Sequence, residues 1–98
     1  MFRNTCYITC GVENEVPIEI QIFLWAMIET LRNKGIKLDY LQVFRLSIHD
    51  DQQKIIHTQE QPDYREEIIV PLFDHPVEAK IFVIDDGDHS TMLLANEY

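Results

Sequence analysis

Apolar side chains recur with a helical period in one stretch of the chain, residues 17–34. At about 100° per residue, one broad stripe is formed by Ile20, Phe23, Leu24, Met27, Ile28 and Leu31. Pro17 suits a first helical turn, Asn14 precedes it as a candidate cap, and Gly35 follows the last turn. The pattern therefore predicts one amphipathic helix over residues 17–34.

A second apolar side of this predicted helix is formed by Ile18, Ile22 and Trp25. Full burial of such side chains contributes about 1.5–3 kcal/mol each, so we expect something to cover them. One candidate is a second copy of the chain in a two-fold dimer, because a helix face can pack against its own copy. The other candidate is the protein's own loops.

After the helix, the apolar positions alternate with a period of two. Within residues 41–48, Phe44 and Leu46 alternate with Arg45 and Ser47, which is typical of a half-buried strand. Comparable segments predict further strands at residues 4–11, 53–59, 66–70, 79–85 and 90–95. The residues between the first strand and the helix are predicted to be a polar connection.

The last two predicted strands contain consecutive apolar residues, at 81–84 and 92–94. We therefore expect them to be central strands that are buried on both faces. Either a loop at residues 71–76 folds back over the second face, or a partner covers it. Together these elements predict a single α+β domain over residues 1–98. One amphipathic helix packs on a mostly antiparallel sheet of five or six strands, in the order β-α-β-β-β-β-β.

The chain of 98 residues has a net charge of −9, and this charge is unevenly distributed. Residues 1–49 contain five acidic and five basic residues, whereas residues 50–98 contain twelve acidic residues and three basic ones. An acidic surface repels phosphate backbones, so nucleic-acid binding is not expected. The acidic residues either keep the protein soluble or dock a basic partner, for which Glu66 and Glu67 are the candidate contacts.

The sequence also indicates a cellular compartment. No apolar run approaches the roughly 18 residues that a membrane span needs, and the opening MFRNTCYITCG lacks the apolar region of a secretion signal. We therefore expect a cytoplasmic protein without a membrane partner. Cys6 and Cys10 lie about 13 Å apart if both are on one strand, which is too far for a disulfide, and they are predicted to be free, largely buried thiols.

The best candidate for chemistry is the turn at residues 85–89, Asp-Asp-Gly-Asp-His. Its Asp-Gly pair is a strong hairpin signal, and a two-residue loop there sets Asp85 opposite Asp88, where like charges repel. A cation held weakly by Asp85, Asp88 and His89 would relieve this repulsion. A register shifted by one residue, which pairs Asp85 with His89, would avoid it and leave a simple solvated turn.

No other segment has a catalytic signature. His57 shares its predicted strand face with Gln59, whereas Glu60 falls on the opposite face, so no acid–base pair is expected there. His49 and His75 lie beside turn residues, and three glycines leave no phosphate-binding loop. Neither a catalytic residue nor a cofactor is predicted.

Four stretches of the chain resemble a known family. They are IQIFLW in the helix, LDYLQVF in the second strand, KIIHTQEQPDY in the third strand and its turn, and IFVIDDGDHSTMLL near the end. The family is a small uncharacterised one, a domain of unknown function from Gram-positive bacteria, and the resemblance covers nearly the whole chain. It implies a compact cytoplasmic single-domain protein and assigns no activity, cofactor or catalytic residue.

These observations favour a non-enzymatic protein–protein interaction module. Its expected partner is another protein, or a second copy bound through the helix. One alternative is a metal-assisted hydrolase or phosphoryl enzyme that uses Asp85, Asp88 and His89. Another is an acidic mimic of nucleic acid that occupies a basic protein.

Overall fold

A computed structural model describes residues 2, 4–71 and 74–98, which form one six-stranded sheet with two α-helices. The elements in chain order are β1 (Thr5–Ile8), α1 (Cys10–Glu15), α2 (Ile18–Asn33), β2 (Leu41–His49), β3 (Gln52–Gln59), β4 (Tyr64–Val70), β5 (Ala79–Asp85), β6 (His89–Leu94) and a final 3₁₀ turn (Ala95–Glu97). The order across the sheet is β1-β6-β5-β2-β3-β4, with β1 parallel to β6 and all other neighbours antiparallel. The predicted α+β fold with a mostly antiparallel sheet is confirmed.

Helix α2 covers one face of the sheet with the stripe that its period predicts. Ile20, Leu24 and Leu31 are fully buried, and they belong to one core cluster with Phe44 of β2 and Ile81 of β5. Burial of such side chains contributes about 1.5–3 kcal/mol each, so this contact is the main reason that α2 is stable on the sheet. The predicted core side of the helix is confirmed.

The start of the chain differs from the sequence predictions. β1 ends at Ile8, and a short helix, α1, follows where a polar connection is predicted. The hydroxyl of Thr9 accepts the N–H of Val12 at 3.3 Å, and Val12 is fully buried. Asn14 belongs to α1, so its predicted role as the cap of α2 is wrong, and Pro17 precedes α2 without a side-chain cap. A six-residue helix with one buried apolar side chain is too short to show a hydrophobic period.

The turn between β2 and β3 contains only Asp50 and Asp51, and both have a left-handed backbone. Their φ angles are 50° and 63°. Left-handed residues at both positions are typical of a two-residue hairpin whose twist matches that of its strands. The turn therefore sets the register in which Ile55 of β3 lies beside Leu46 of β2.

β5 and β6 are internal strands, as their consecutive apolar residues predict. β6 lies between β1 and β5, and β5 lies between β6 and β2. Neither described helix covers their second face, where the Tyr98 ring meets Phe82 edge to face at 5.6 Å. The predicted cover at residues 71–76 includes Leu72 and Phe73, which lie outside the described residues. Within the described ranges, no helix has both the length and the hydropathy to span a bilayer.

We call the sheet surface opposite α2 the open face. Because side chains alternate along each strand, its members follow from the register of the paired strands. On the four strands β2 to β5 they are Leu41, Val43, Arg45, Ser47, Lys54, Ile56, Thr58, Arg65, Glu67, Ile69, Lys80, Phe82 and Ile84.

Candidate functional site

The helix residues predicted to meet a partner are not equally exposed. Ile18 and Ile22 are 61% and 62% exposed, whereas Trp25 is half-buried and packs against the core cluster. Ile18 also borders a groove of about 440 Å³ together with Ile8 of the edge strand β1. The exposed large apolar residues of α2, which we call the helix patch, are therefore Ile18 and Ile22.

Glu66 and Glu67 lie on opposite faces of β4, since successive strand residues alternate. Glu66 faces α2, and its carboxylate accepts the Tyr64 hydroxyl at 3.0 Å. Glu67 lies on the open face, where it pairs with Lys54 and Arg65 at 2.8 Å each. The Lys54 ammonium, followed by the Arg65 guanidinium, lowers the pKa of Glu67. The two acids predicted to dock a partner therefore do not form one surface.

The turn between β5 and β6 has a different register from either predicted pairing. Asp85 lies opposite Ser90, so the predicted pairings with Asp88 and with His89 are both wrong. The reason is the side chain of Asp86, which accepts the N–H groups of Asp88 at 3.2 Å and His89 at 3.1 Å. These local bonds stabilise a longer loop than the Asp-Gly signal predicts.

Asp85 points into the protein and is 8% exposed. Its carboxylate accepts the N–H of Phe2 at 2.7 Å, the side-chain amide of Asn4 at 3.0 Å and the N–H of Gly87 at 2.8 Å. Burial raises the pKa of Asp85, but these hydrogen bonds outweigh burial and lower it overall. In the described part of the chain, no three His, Cys, Asp or Glu residues are placed to hold a metal ion. The weak cation site at this turn stays a prediction.

The two cysteines are exposed, contrary to the prediction of buried thiols. Cys6 lies on β1, and Cys10 begins α1, so they do not share a strand. The four residues of β1 are all exposed because this strand lies at the edge of the sheet. Alternation in the sequence predicts a strand but does not show that the strand is an edge strand.

Basic side chains are concentrated on the open face. Four of the chain's eight lysines and arginines lie there: Arg45, Lys54, Arg65 and Lys80. Glu67 forms ion pairs with Lys54 and Arg65, whereas Arg45 and Lys80 face each other directly across β2 and β5. Neither member of this pair forms an ion pair with a carboxylate among the described residues. Like charges in this arrangement destabilise a sheet, and a bound anion would remove the repulsion.

A groove of about 480 Å³ lies on the open face beside the Arg45–Lys80 pair. Leu41, Val43 and Phe82 form its apolar floor, and the Lys80 ammonium lies 5.5 Å from the centre of the Phe82 ring. Asp39, Glu60 and Asp63 line the groove at the end where β2 begins. The groove therefore combines an apolar floor with two basic groups that have no carboxylate partner.

Sequence reasoning did not identify the buried side chains around His57. The His57 side chain is 1% exposed, its ring stacks on Phe44 with centroids 4.4 Å apart, and Glu66 lies opposite it on β4. Desolvation lowers the pKa of His57 to about 4, so the imidazole is neutral at pH 7. Strand alternation places His57 and Gln59 on one face but does not show that this face is buried. The partners of His57 come from other elements and leave no local signal in the sequence.

Comparison with known proteins agrees with the resemblance seen in the sequence. The profile of a family described as "Staphylococcal protein of unknown function (DUF960)" matches residues 5–97. A crystal structure described as that of "the protein of unknown function from Enterococcus faecalis" superposes with a TM-score of 0.83 at 27% identity, covering 97% of this chain and 91% of the other. No curated protein matches the chain. The predicted family is confirmed, and neither description includes an activity.

Proposed function

This chain belongs to the family of staphylococcal proteins of unknown function (DUF960), and we propose that it is a non-enzymatic module that binds an acidic helical segment of another protein. The segment lies on the open face. The observation that supports this proposal best is the pair of Arg45 and Lys80, which are held opposite each other without a carboxylate partner in the described part of the chain.

Charge complementarity selects an acidic partner even though the chain has a net charge of −9. A carboxylate placed between Arg45 and Lys80 would interact favourably with both cations and remove their mutual repulsion. The Debye length is about 10 Å at 0.1 M salt, so acidic residues outside the groove are largely screened from this contact. Asp39, Glu60 and Asp63 line the same groove at the end where β2 begins, so the acidic side chains of the segment lie at the opposite end, beside the basic pair.

The apolar floor beside the basic pair favours an amphipathic helix as the bound segment. An apolar area on a sheet face is stabilised when another layer packs on it, and α2 already covers the opposite face. The half-buried floor of Leu41, Val43 and Phe82 remains for a second layer. An amphipathic helix with leucines along one stripe and glutamates beside it meets both the floor and the basic pair.

Titration of the ¹⁵N-labelled chain with such a synthetic leucine–glutamate peptide tests the proposal. We expect saturable shifts of the amide signals of Val43 and Phe82, with the signals of Ile22 and Leu24 on α2 unchanged. A peptide of the same length with lysine in place of glutamate is the control, and it should not bind. High salt should weaken binding of the acidic peptide.

Two matched variants test whether Arg45 and Lys80 are responsible for peptide binding. Arg45→Glu should weaken peptide binding by about tenfold or more, because it places like charges in contact. Lys37→Glu makes the same change of charge at an exposed position outside the open face and should alter the affinity by less than about twofold. Equal losses in the two variants, or equal binding of the lysine peptide, would contradict the proposal.

A homodimer through the helix patch is a second candidate. Its support is the exposure of Ile18 and Ile22, which are large apolar side chains one helical turn apart. Two copies of α2 that pack around a two-fold axis would cover both residues. Because α2 lies on the sheet side opposite the open face, binding at the two surfaces can be measured independently.

A further inference from the structure

A second groove lies between α2 and β4, on the side of the sheet away from the open face, and we call it the α2–β4 groove. Its volume is about 180 Å³, and its apolar wall is formed by Phe23, Met27 and Ile68. An apolar cavity of about 150 Å³ in another protein accepts benzene. The α2–β4 groove therefore has the size of one six-membered ring with a small substituent.

His57 lines this groove and has a defined tautomer. The amide nitrogen of Gln42 donates to Gln59 Oε1 at 2.7 Å and to the carbonyl of Asp39 at 2.9 Å. Only Oε1 of Gln42 remains for His57, whose Nε2 lies 2.6 Å away. His57 must therefore donate from Nε2, which leaves a lone pair on Nδ1. Within the described ranges this Nδ1 forms no hydrogen bond, and no fully buried side-chain nitrogen or oxygen atom there lacks a partner. The lone pair of Nδ1 is therefore open to the groove that His57 lines.

The other polar groups of the groove are paired with one another. The Tyr64 hydroxyl donates to Glu66 at 3.0 Å, and Lys34 Nζ donates to the Tyr64 hydroxyl at 3.3 Å. Lys34 and Glu66 also lie 3.7 Å apart, so their charges offset each other and select neither an anion nor a cation. The acceptor in the groove that has no protein partner is thus Nδ1, and a ligand that bonds to it must supply a donor.

Two aromatic rings pack against the His57 imidazole. Phe44 stacks on one side of His57, and the Tyr64 ring meets it edge to face at a centroid distance of 5.8 Å. Such an environment favours a flat ring over a branched aliphatic group. We propose that the α2–β4 groove binds a small aromatic molecule with one O–H or N–H donor, whose donor bonds to His57 Nδ1 and whose ring lies against Phe23, Met27 and Ile68.

Phenol and toluene are the matched probes for this site, because they have nearly the same size and differ in the donor. Each is titrated into the full ¹⁵N-labelled chain at neutral pH, and the imidazole nitrogen signals of His57 are recorded. We expect saturable binding of phenol in the millimolar range with a shift of the Nδ1 signal. Phenol should bind about threefold to tenfold more tightly than toluene, which corresponds to one hydrogen bond.

Two variants locate the binding. His57→Phe keeps an aromatic ring but removes the acceptor, so it should abolish the preference for phenol. Thr30 is exposed and borders the groove, so Thr30→Trp should fill the groove and abolish binding of both probes, whereas Thr30→Ala should keep it. If His57→Phe does not fold, the shift of the Nδ1 signal in the wild type and the binding of both probes to the Thr30 variants test the proposal. Equal affinities for phenol and toluene, an unmoved Nδ1 signal or the lack of saturable binding would overturn the proposal.

Discussion

The carboxylate of Asp85 accepts a hydrogen bond from the backbone N–H of Phe2 at 2.7 Å, across 83 residues of chain. Asn4 donates to the same carboxylate, so one buried side chain joins the start of the protein to the end of β5. Phe2 is itself buried in the core cluster. Asp85 therefore positions the segment that leads into β1 beside β6.

We expect Asp85→Asn to reduce the free energy of unfolding by about 1–3 kcal/mol, measured by urea denaturation. The substitution replaces one acceptor oxygen with an NH₂ group, which then faces a donor. Asp88→Asn is the control, because it makes the same change at an exposed residue of the turn and should stay within about 0.5 kcal/mol. Equal losses in both variants would show that Asp85 has no special role.

Millimolar Mg²⁺ should leave the melting temperature unchanged. A cation at the turn would have to compete with the hydrogen bonds that the Asp85 carboxylate already accepts. A cation that binds only the native state raises the melting temperature, so thermal denaturation with and without Mg²⁺ is a direct measurement. A rise of several degrees that Asp88→Asn removes would instead establish the predicted cation site.

Acid should destabilise the protein through His57. Its pKa is lowered from 6.5 to about 4 in the fold, mainly by desolvation, while Glu66 opposes and Lys34 assists this shift. Between these two values the unfolded chain binds a proton that the folded chain does not, so stability falls as the pH falls, by up to about 3 kcal/mol. Above about pH 7 the imidazole is neutral in both states and contributes no pH dependence.

Urea denaturation at about pH 7 and at about pH 5 measures this loss of stability. Both pH values lie above the range in which most carboxylates titrate. His57→Phe should reduce the difference between the two pH values, because it removes the buried imidazole. His49→Phe, at an exposed position, should retain it. A wild-type stability that does not change over this interval would contradict the buried neutral state of His57.

The helix patch can be tested by one exposed and one buried substitution. Ile22 is 62% exposed, so Ile22→Glu should leave the chain folded, whereas Leu24→Ala should cost about 2–5 kcal/mol. If the helix patch forms a dimer, sedimentation should show a wild-type dimer and an Ile22→Glu monomer. A wild type that sediments as a monomer at high micromolar concentration would exclude the dimer.

We expect Asp51→Gly to stabilise the hairpin of β2 and β3 by about 0.5–1 kcal/mol. Asp51 has a φ of 63°, a conformation that glycine adopts without the steric cost of a Cβ atom. Asp88→Gly removes the same charge from an exposed turn residue whose φ is not positive, so it should be neutral or destabilising. Thermal denaturation compares the two variants. If both are more stable than the wild type, the loss of a negative charge, and not the backbone conformation, is the cause.

The sequence by itself determined those elements that depend on neighbours a few residues apart. Leu24 and Ile28 lie one helical turn apart on α2, and Phe44 and Leu46 lie two residues apart on β2. The spacing alone shows which side of each element is apolar, and the bounds of α2 and five strands follow closely from it. The same reasoning found Ile18 and Ile22 outside the core stripe of α2.

Only the tertiary structure decided which elements are neighbours. The parallel pairing of β1 with β6 joins the two ends of the chain, and no local pattern predicts it. The position of Arg45 opposite Lys80 and the hydrogen bond of His57 with Gln42 depend on strand order and register. Burial of apolar side chains over the whole sheet sets that order and register, so the chemistry of both proposed sites depends on residues that are distant in sequence.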